Sequence, residues 1–160
     1  MLIRKILIGV DNSKFADNAA QYGFDIAHKF KAKVGLVHIV GPPMVPYNNT
    51  TDPLMGTADL GVVDVELVNI QNNASKAIVD SFIKKYGGDL EVTHFSEFGD
   101  TAEGIVQCSQ DFGADMIVVG THSRTGLDRL LMGSVAEHVV RHATVPVLVV
   151  PLNEEEKNEG

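Results

Sequence analysis

Five short runs rich in apolar and β-branched residues alternate along this chain with four stretches whose apolar residues recur every three or four positions. That alternation constrains the fold more than any other feature. Side chains on a helix repeat every 3.6 residues, whereas a strand alternates or, when covered on both faces, is apolar throughout. The strand-like runs are Lys5–Val10, Val34–Val40, Leu90–Phe95, Asp115–Val119 and Val145–Val150. Helical steps join Phe15, Ala19, Gly23, Ile26, Ala27 and Phe30. They recur in Val63, Leu67, Ile70, Ala74, Ala77, Ile78 and Phe82, then in Ala102, Ile105, Val106, Ser109 and Phe112. A last helix opens at Ser134 and runs through Val139 and His142. The order β-α-β-α-β-α-β-α-β predicts an α/β fold, an open five-stranded parallel sheet with helices on both faces. Right-handed crossovers restrict its topology.

Local signals punctuate the pattern. Asp11-Asn12-Ser13 is rich in turn and cap formers, Gly87-Gly88 and Gly113 end helices, and Asp100 with Glu103 and Ser134 with Glu137 read as capping pairs. Residues 41–61 hold four prolines among Asn and Thr and read as a long, mobile surface loop. Residues 153–160 read as an acidic, disordered tail. The expectation is one domain over 1–152.

Apolar residues make up 44% of the chain, enough for one core. The formal net charge of -8 disfavours a broad grip on a nucleic-acid backbone, although backbone amides bind a small phosphate ligand without a basic surface. The single cysteine, Cys108, excludes an internal disulfide and fits a reducing compartment, and its place inside a helix reads as packing. The N-terminal apolar run is too short and too charged for a signal peptide, and no stretch suits a membrane span. A cytoplasmic location and no membrane partner are therefore expected.

In an open parallel sheet, ligands bind beyond the carboxyl ends of the strands. Gly133-Ser134, at a helix start, offers free amides and a partial positive charge to an anion, with glycine allowing close approach. The alternative is an ordinary turn and N-cap. Gly120 invites close backbone approach or simply ends a strand. Arg124 neutralises phosphate or lies solvated. Asp11 accepts a ribose hydroxyl, holds a hydrated metal ion or caps the first helix. His122 is a weak catalytic candidate, with no acidic partner near it in sequence. A Walker A loop, G-x-G-x-x-G after the first strand, G-x-S-x-G and zinc spacing are all absent.

The segment from Gly120 to Glu137 resembles the signature of the universal stress protein family. Its ATP-binding branch carries G-x2-G-x9-G-[ST], and Gly120, Ser123 and Gly133-Ser134 fall at that spacing, with Ser123 in place of the second glycine. The likeness extends from Lys5 to Val150. It implies a Rossmann-like fold of the adenine nucleotide alpha hydrolase type. It further implies that Gly9, Val10 and Asp11 line the nucleotide, with Asp11 near the ribose and the metal, and that Ile39 offers its backbone to adenine. Gly120, Thr121, His122, Ser123, Arg124, Thr125 and Gly126 would wrap the phosphates. Gly133, Ser134 and Val135 would hold them, with Mg²⁺ or Mn²⁺ among the phosphate oxygens. The resemblance also implies a homodimer pairing through Val147, Leu148, Val149 and Val150. That run carries no charge and, as an edge strand, needs a partner. The function implied is an ATP-binding stress-response regulator. The alternatives are a slow ATPase or phosphotransferase, and a nucleotide-independent interaction protein, which Ser123 favours.

Overall fold

The computed structural model describes residues 2–41, 65–121 and 132–152. Five strands, β1 (Lys5–Gly9), β2 (Lys33–Val40), β3 (Val92–Phe98), β4 (Met116–Gly120) and β5 (Val147–Val150), form one sheet. The helices between them are α1 (Lys14–Phe30), α2 (Val65–Phe82), α3 (Thr101–Phe112) and α4 (Ser134–His142). The order is β3-β2-β1-β4-β5, and every pairing is parallel. The expected fold class is thus the observed one.

The pleat sends successive residues to opposite faces. Ile6 and Ile8 of β1 join α1 and α2 in one core with Phe24, Leu36 and Val79. Leu7 joins α3 and α4 in the other, with Val37, Ile105, Ile117 and Val139. Each of these fully buried aliphatic side chains contributes about 1.5–3 kcal/mol relative to exposure. Local chemistry fixes the ends. Asp115 accepts the amides of Arg4 at 2.8 Å and Lys5 at 2.9 Å, locking the start of β4 against β1. The Asp100 carboxylate accepts the Glu103 amide at 2.9 Å and caps α3, as the sequence predicts. Gly113, at φ 66, ends α3. The buried Asn18 donates its side-chain amide to the Pro151 carbonyl at 2.7 Å, tying α1 to the exit of β5. Cys108 packs in the second core. Burial, then the charges of Glu97 and Asp111, push its thiol up to about 11, so it is inert packing.

Several boundaries depart from the sequence reading. β3 begins at Val92 and runs to Phe98, because it pairs residue by residue with β2 up to Val40↔Phe98. β5 begins at Val147, β1 ends at Gly9 and β4 reaches Gly120. α2 buries Ser75, Val79 and Phe82, while Ile70, Ala74 and Ala77 face outward. The helix continues through a π-helical turn, Ile83–Gly87, to Gly88 at φ 55. Phe30, at the end of α1, is exposed. Nearly all of the loop 41–61 and the whole tail 153–160 lie outside the described residues.

His94 on β3 turns a buried Nε2, unpartnered among the described residues, toward the side of the sheet that α2 covers. Burial lowers its pKa first, Lys76 adds to the effect and Asp80 opposes it. The folded chain therefore resists a proton that the unfolded chain accepts, and its stability declines as pH falls below about 6.5. Urea midpoints at pH 7.5 and 5.5 are expected to differ, and His94→Leu to narrow the difference.

Candidate functional site

The strand order reverses beside β1, between β2 on one side and β4 on the other. A cleft of about 380 Å³ opens there, at the carboxyl ends of β1 and β2. This is where open α/β sheets bind ligands, and the volume falls in the range of small-molecule sites. Val10 and Asp11 form its floor, Ile39, Val40 and Gly41 one side, and Gln71, Ala74, Ser75 and Ile78 of α2 a wall. Thr101 and Val135 bring the starts of α3 and α4 to it.

Asp11 leads into α1 by a tight turn. Its Oδ1 accepts the Ser13 amide at 2.8 Å, and Ser13 Oγ in turn accepts the Ala16 amide at 3.2 Å. The helix cap is therefore Ser13, and Asp11 buttresses the turn before it while lining the cleft.

The Gly133 amide donates to the Thr121 carbonyl at 2.6 Å, and the Thr121 amide donates to Val150 at 3.1 Å. These bonds join the exit of β4, the start of α4 and the end of β5. The expected Ser134–Glu137 capping pair does not form. A cap needs extended backbone ahead of the first turn, and Gly133, at φ -57 and ψ 152, holds that place with Ser134 already helical. Gly133 has no side chain with which to cap α4, and the first-turn amides stand at the positive end of the helix dipole.

Two expected site glycines have packing roles. A Cβ on Gly120 would lie 2.8 Å from the Phe15 carbonyl oxygen and 2.9 Å from its carbon, so the backbone that approaches Gly120 is the chain's own α1. A Cβ on Gly9 would meet Ile105 and Val119 at 3.2 Å, beneath α3. Ile39 reaches the cleft, while its side chain fills the space that a Cβ on Gly104 would need, 2.7 Å from Ile39 Cδ1. His122, Ser123, Arg124, Thr125 and Gly126 lie outside the described residues.

Of the residues expected from the sequence, Val10, Asp11, Ile39 and Val135 share the cleft. The α2 wall and Thr101 were not anticipated. Gln71 and Ser75 stand one helical turn apart, a polar pair at i,i+4 that could have signalled a second, polar face on α2. Ser75 is buried, with Oγ 2.8 Å from His38 Nδ1 and 3.0 Å from Ser96 Oγ.

An elongated ligand with an apolar ring and an anionic end fits this arrangement, the ring against β2 and α2 and the anion toward α4. Among the described residues no group of three His, Cys, Asp or Glu could hold a metal ion. Asp11, a carboxylate on the cleft floor, suits a cation whose other ligands are phosphate oxygens and water.

A family model described as "Universal stress protein family" matches residues 2–151. Universal stress protein MJ0531 of Methanocaldococcus jannaschii is 33% identical over 151 residues, which covers 93% of this chain and 82% of that protein. The solved structure of protein MJ0577, from the same organism, is similar with a TM-score of 0.78 and 25% identity, covering 96% of this chain and 99% of that one. A universal stress protein from Archaeoglobus fulgidus, solved in complex with dAMP, shares the fold with a TM-score of 0.57 at 21% identity, over 93% of this chain and 98% of that one.

Gly120→Ala is expected to destabilise the chain by about 1–3 kcal/mol, because backbone cannot yield as a side-chain tip can. Gly41→Ala, with nothing among the described residues within 4 Å of the added carbon, is expected to leave the urea midpoint unchanged.

Proposed function

Because the chain belongs to the universal stress protein family, we propose that it is a cytoplasmic ATP-binding regulator that works as a homodimer. The observation that carries this reading is the bond from the Gly133 amide to Thr121, which sets the start of α4 beside the exit of β4. An anion held there meets amides and a helix dipole and needs no basic surface.

Ile39, Val40 and Gly41 flank the adenine, with the Ile39 backbone at its edge. Asp11 meets the ribose, and with Gly9 and Val10 it lines the nucleotide. Gly120 and Thr121 lie along the phosphates, the role proposed for His122, Ser123, Arg124, Thr125 and Gly126 being to bind them too, and the amides of Ser134 and Val135 bind them. Gly133, whose own amide is engaged by Thr121, serves by leaving space. Asp11 would hold Mg²⁺ or Mn²⁺ jointly with phosphate oxygens, and the ion would offset phosphate charge. Further support comes from the Archaeoglobus fulgidus relative, which is named as a dAMP complex on the same fold. Among the described residues no helix is long and apolar enough to cross a membrane.

β5 ends the sheet, and Val147, Leu148 and Val149 remain half-buried there with no charge among them. Pairing of β5 with the same strand of a second chain would satisfy that edge. Sedimentation equilibrium is expected to give twice the chain mass, and a monomer at all concentrations overturns this part.

ATP binding is checked by titration calorimetry on the purified protein. Gly133→Val is expected to weaken it more than about tenfold, because a charge-assisted hydrogen bond contributes about 1.5–3 kcal/mol and a tenfold loss needs only about 1.4. Its φ of -57 is open to any residue, so the substitution tests space rather than strain. Unchanged affinity overturns the phosphate site. ATP is expected to stay intact on long incubation, and steady ADP formation would point to an ATPase instead.

A further inference from the structure

The carboxamide oxygen of Gln71, a residue that lines the cleft, is buried and has no hydrogen-bond partner among the described residues. A buried carbonyl oxygen left unpaired is costly, so native structures rarely keep one without a donor to meet it. The surroundings narrow what that donor is. Ala74 and Ile78 on the same helix and Ile39 and Val40 across the cleft are apolar, and the polar Ser75 and His38 beside them bond each other, so the Gln71 oxygen is left as an unmatched acceptor on that wall. Such a wall suits a flat ring with a single N–H at its edge.

The position of the acceptor is fixed by the turn that follows it. Ser75, one turn along α2 and only 1% exposed, joins His38 of β2 at 2.8 Å and Ser96 of β3 at 3.0 Å. That chain of side chains pins α2 to two strands and holds the Gln71 face of the helix toward the cleft.

We propose that Gln71 reads the base of the bound nucleotide, its carboxamide oxygen accepting a hydrogen bond from the exocyclic amino group of adenine. The proposal rests on the adenine-nucleotide reading above and assigns Gln71 as a specificity-determining residue within it. A six-position carbonyl, as in guanine or hypoxanthine, would set acceptor against acceptor. Rotation of the carboxamide relieves that clash, so a six-oxo purine is a weak probe. A purine with hydrogen at that position offers neither donor nor acceptor, and no rotation compensates.

The experiment is a calorimetric cycle with ATP and purine riboside triphosphate, on the full chain and on Gln71→Met, which keeps side-chain length without the acceptor. The native protein is expected to prefer ATP about tenfold, and Gln71→Met to bind the two within about twofold of each other. Gln71→Leu repeats the cycle should the Met variant lose its cooperative thermal transition. A variant that keeps the native preference overturns the role of Gln71. Equal binding of the two nucleotides by the native protein does the same while leaving the ATP reading intact. Binding of neither by the native protein overturns both.

Discussion

The reversal of strand order at β1 governs the rest of the molecule. Because parallel crossovers are right-handed, moving from β1 outward in two directions puts α1 and α2 on one face and α3 and α4 on the other. Among the described residues no connection passes over the carboxyl ends of β1 and β4 together, and a cleft lies there. Asp11 lies on its floor because β1 ends there. The start of α4 lies beside it because β4 is the neighbour of β1.

The alternation of apolar runs with 3.6-periodic stretches made the fold class legible, since it reports burial on both sheet faces and on helix stripes. Caps that depend on one side chain and one amide, such as Asp100 with Glu103, were equally legible. Ser134 with Glu137 has the same pattern and fails, because Gly133 already provides the extended residue ahead of the turn. A capping pattern states which residues can cap, whereas the backbone decides which one does. Strand ends were misjudged for a related reason. Their length is set by the neighbouring strand, as β3 follows β2 to Phe98, and a single run carries no information about its partner.

The least legible part of the cleft was α2. Leu67, Ile70, Ala74 and Ala77 make a convincing apolar series, yet the helix turns Ser75 and Val79 inward. Ser75 occupies the buried side because His38 and Ser96 are there to bond it, and those partners lie 37 and 21 residues away in sequence. Glycines carry a second signal that sequence does not separate from the first. Gly120 and Gly9 sit within the region that binds ligands in such folds, and each also has a neighbouring element of the chain itself close to the place a Cβ would take.

The contact between Gly120 and the Phe15 backbone has a consequence for affinity. With 2.8 Å between the carbonyl and the place a Cβ would take, the exit of β4 cannot drift from the first turn of α1 without opening the interior. The exit of β4 and the first turn of α1 are therefore set in place before any ligand arrives. Little of a ligand's interaction is diverted into arresting motion on that side, and what it gains from contact is realised as tightness.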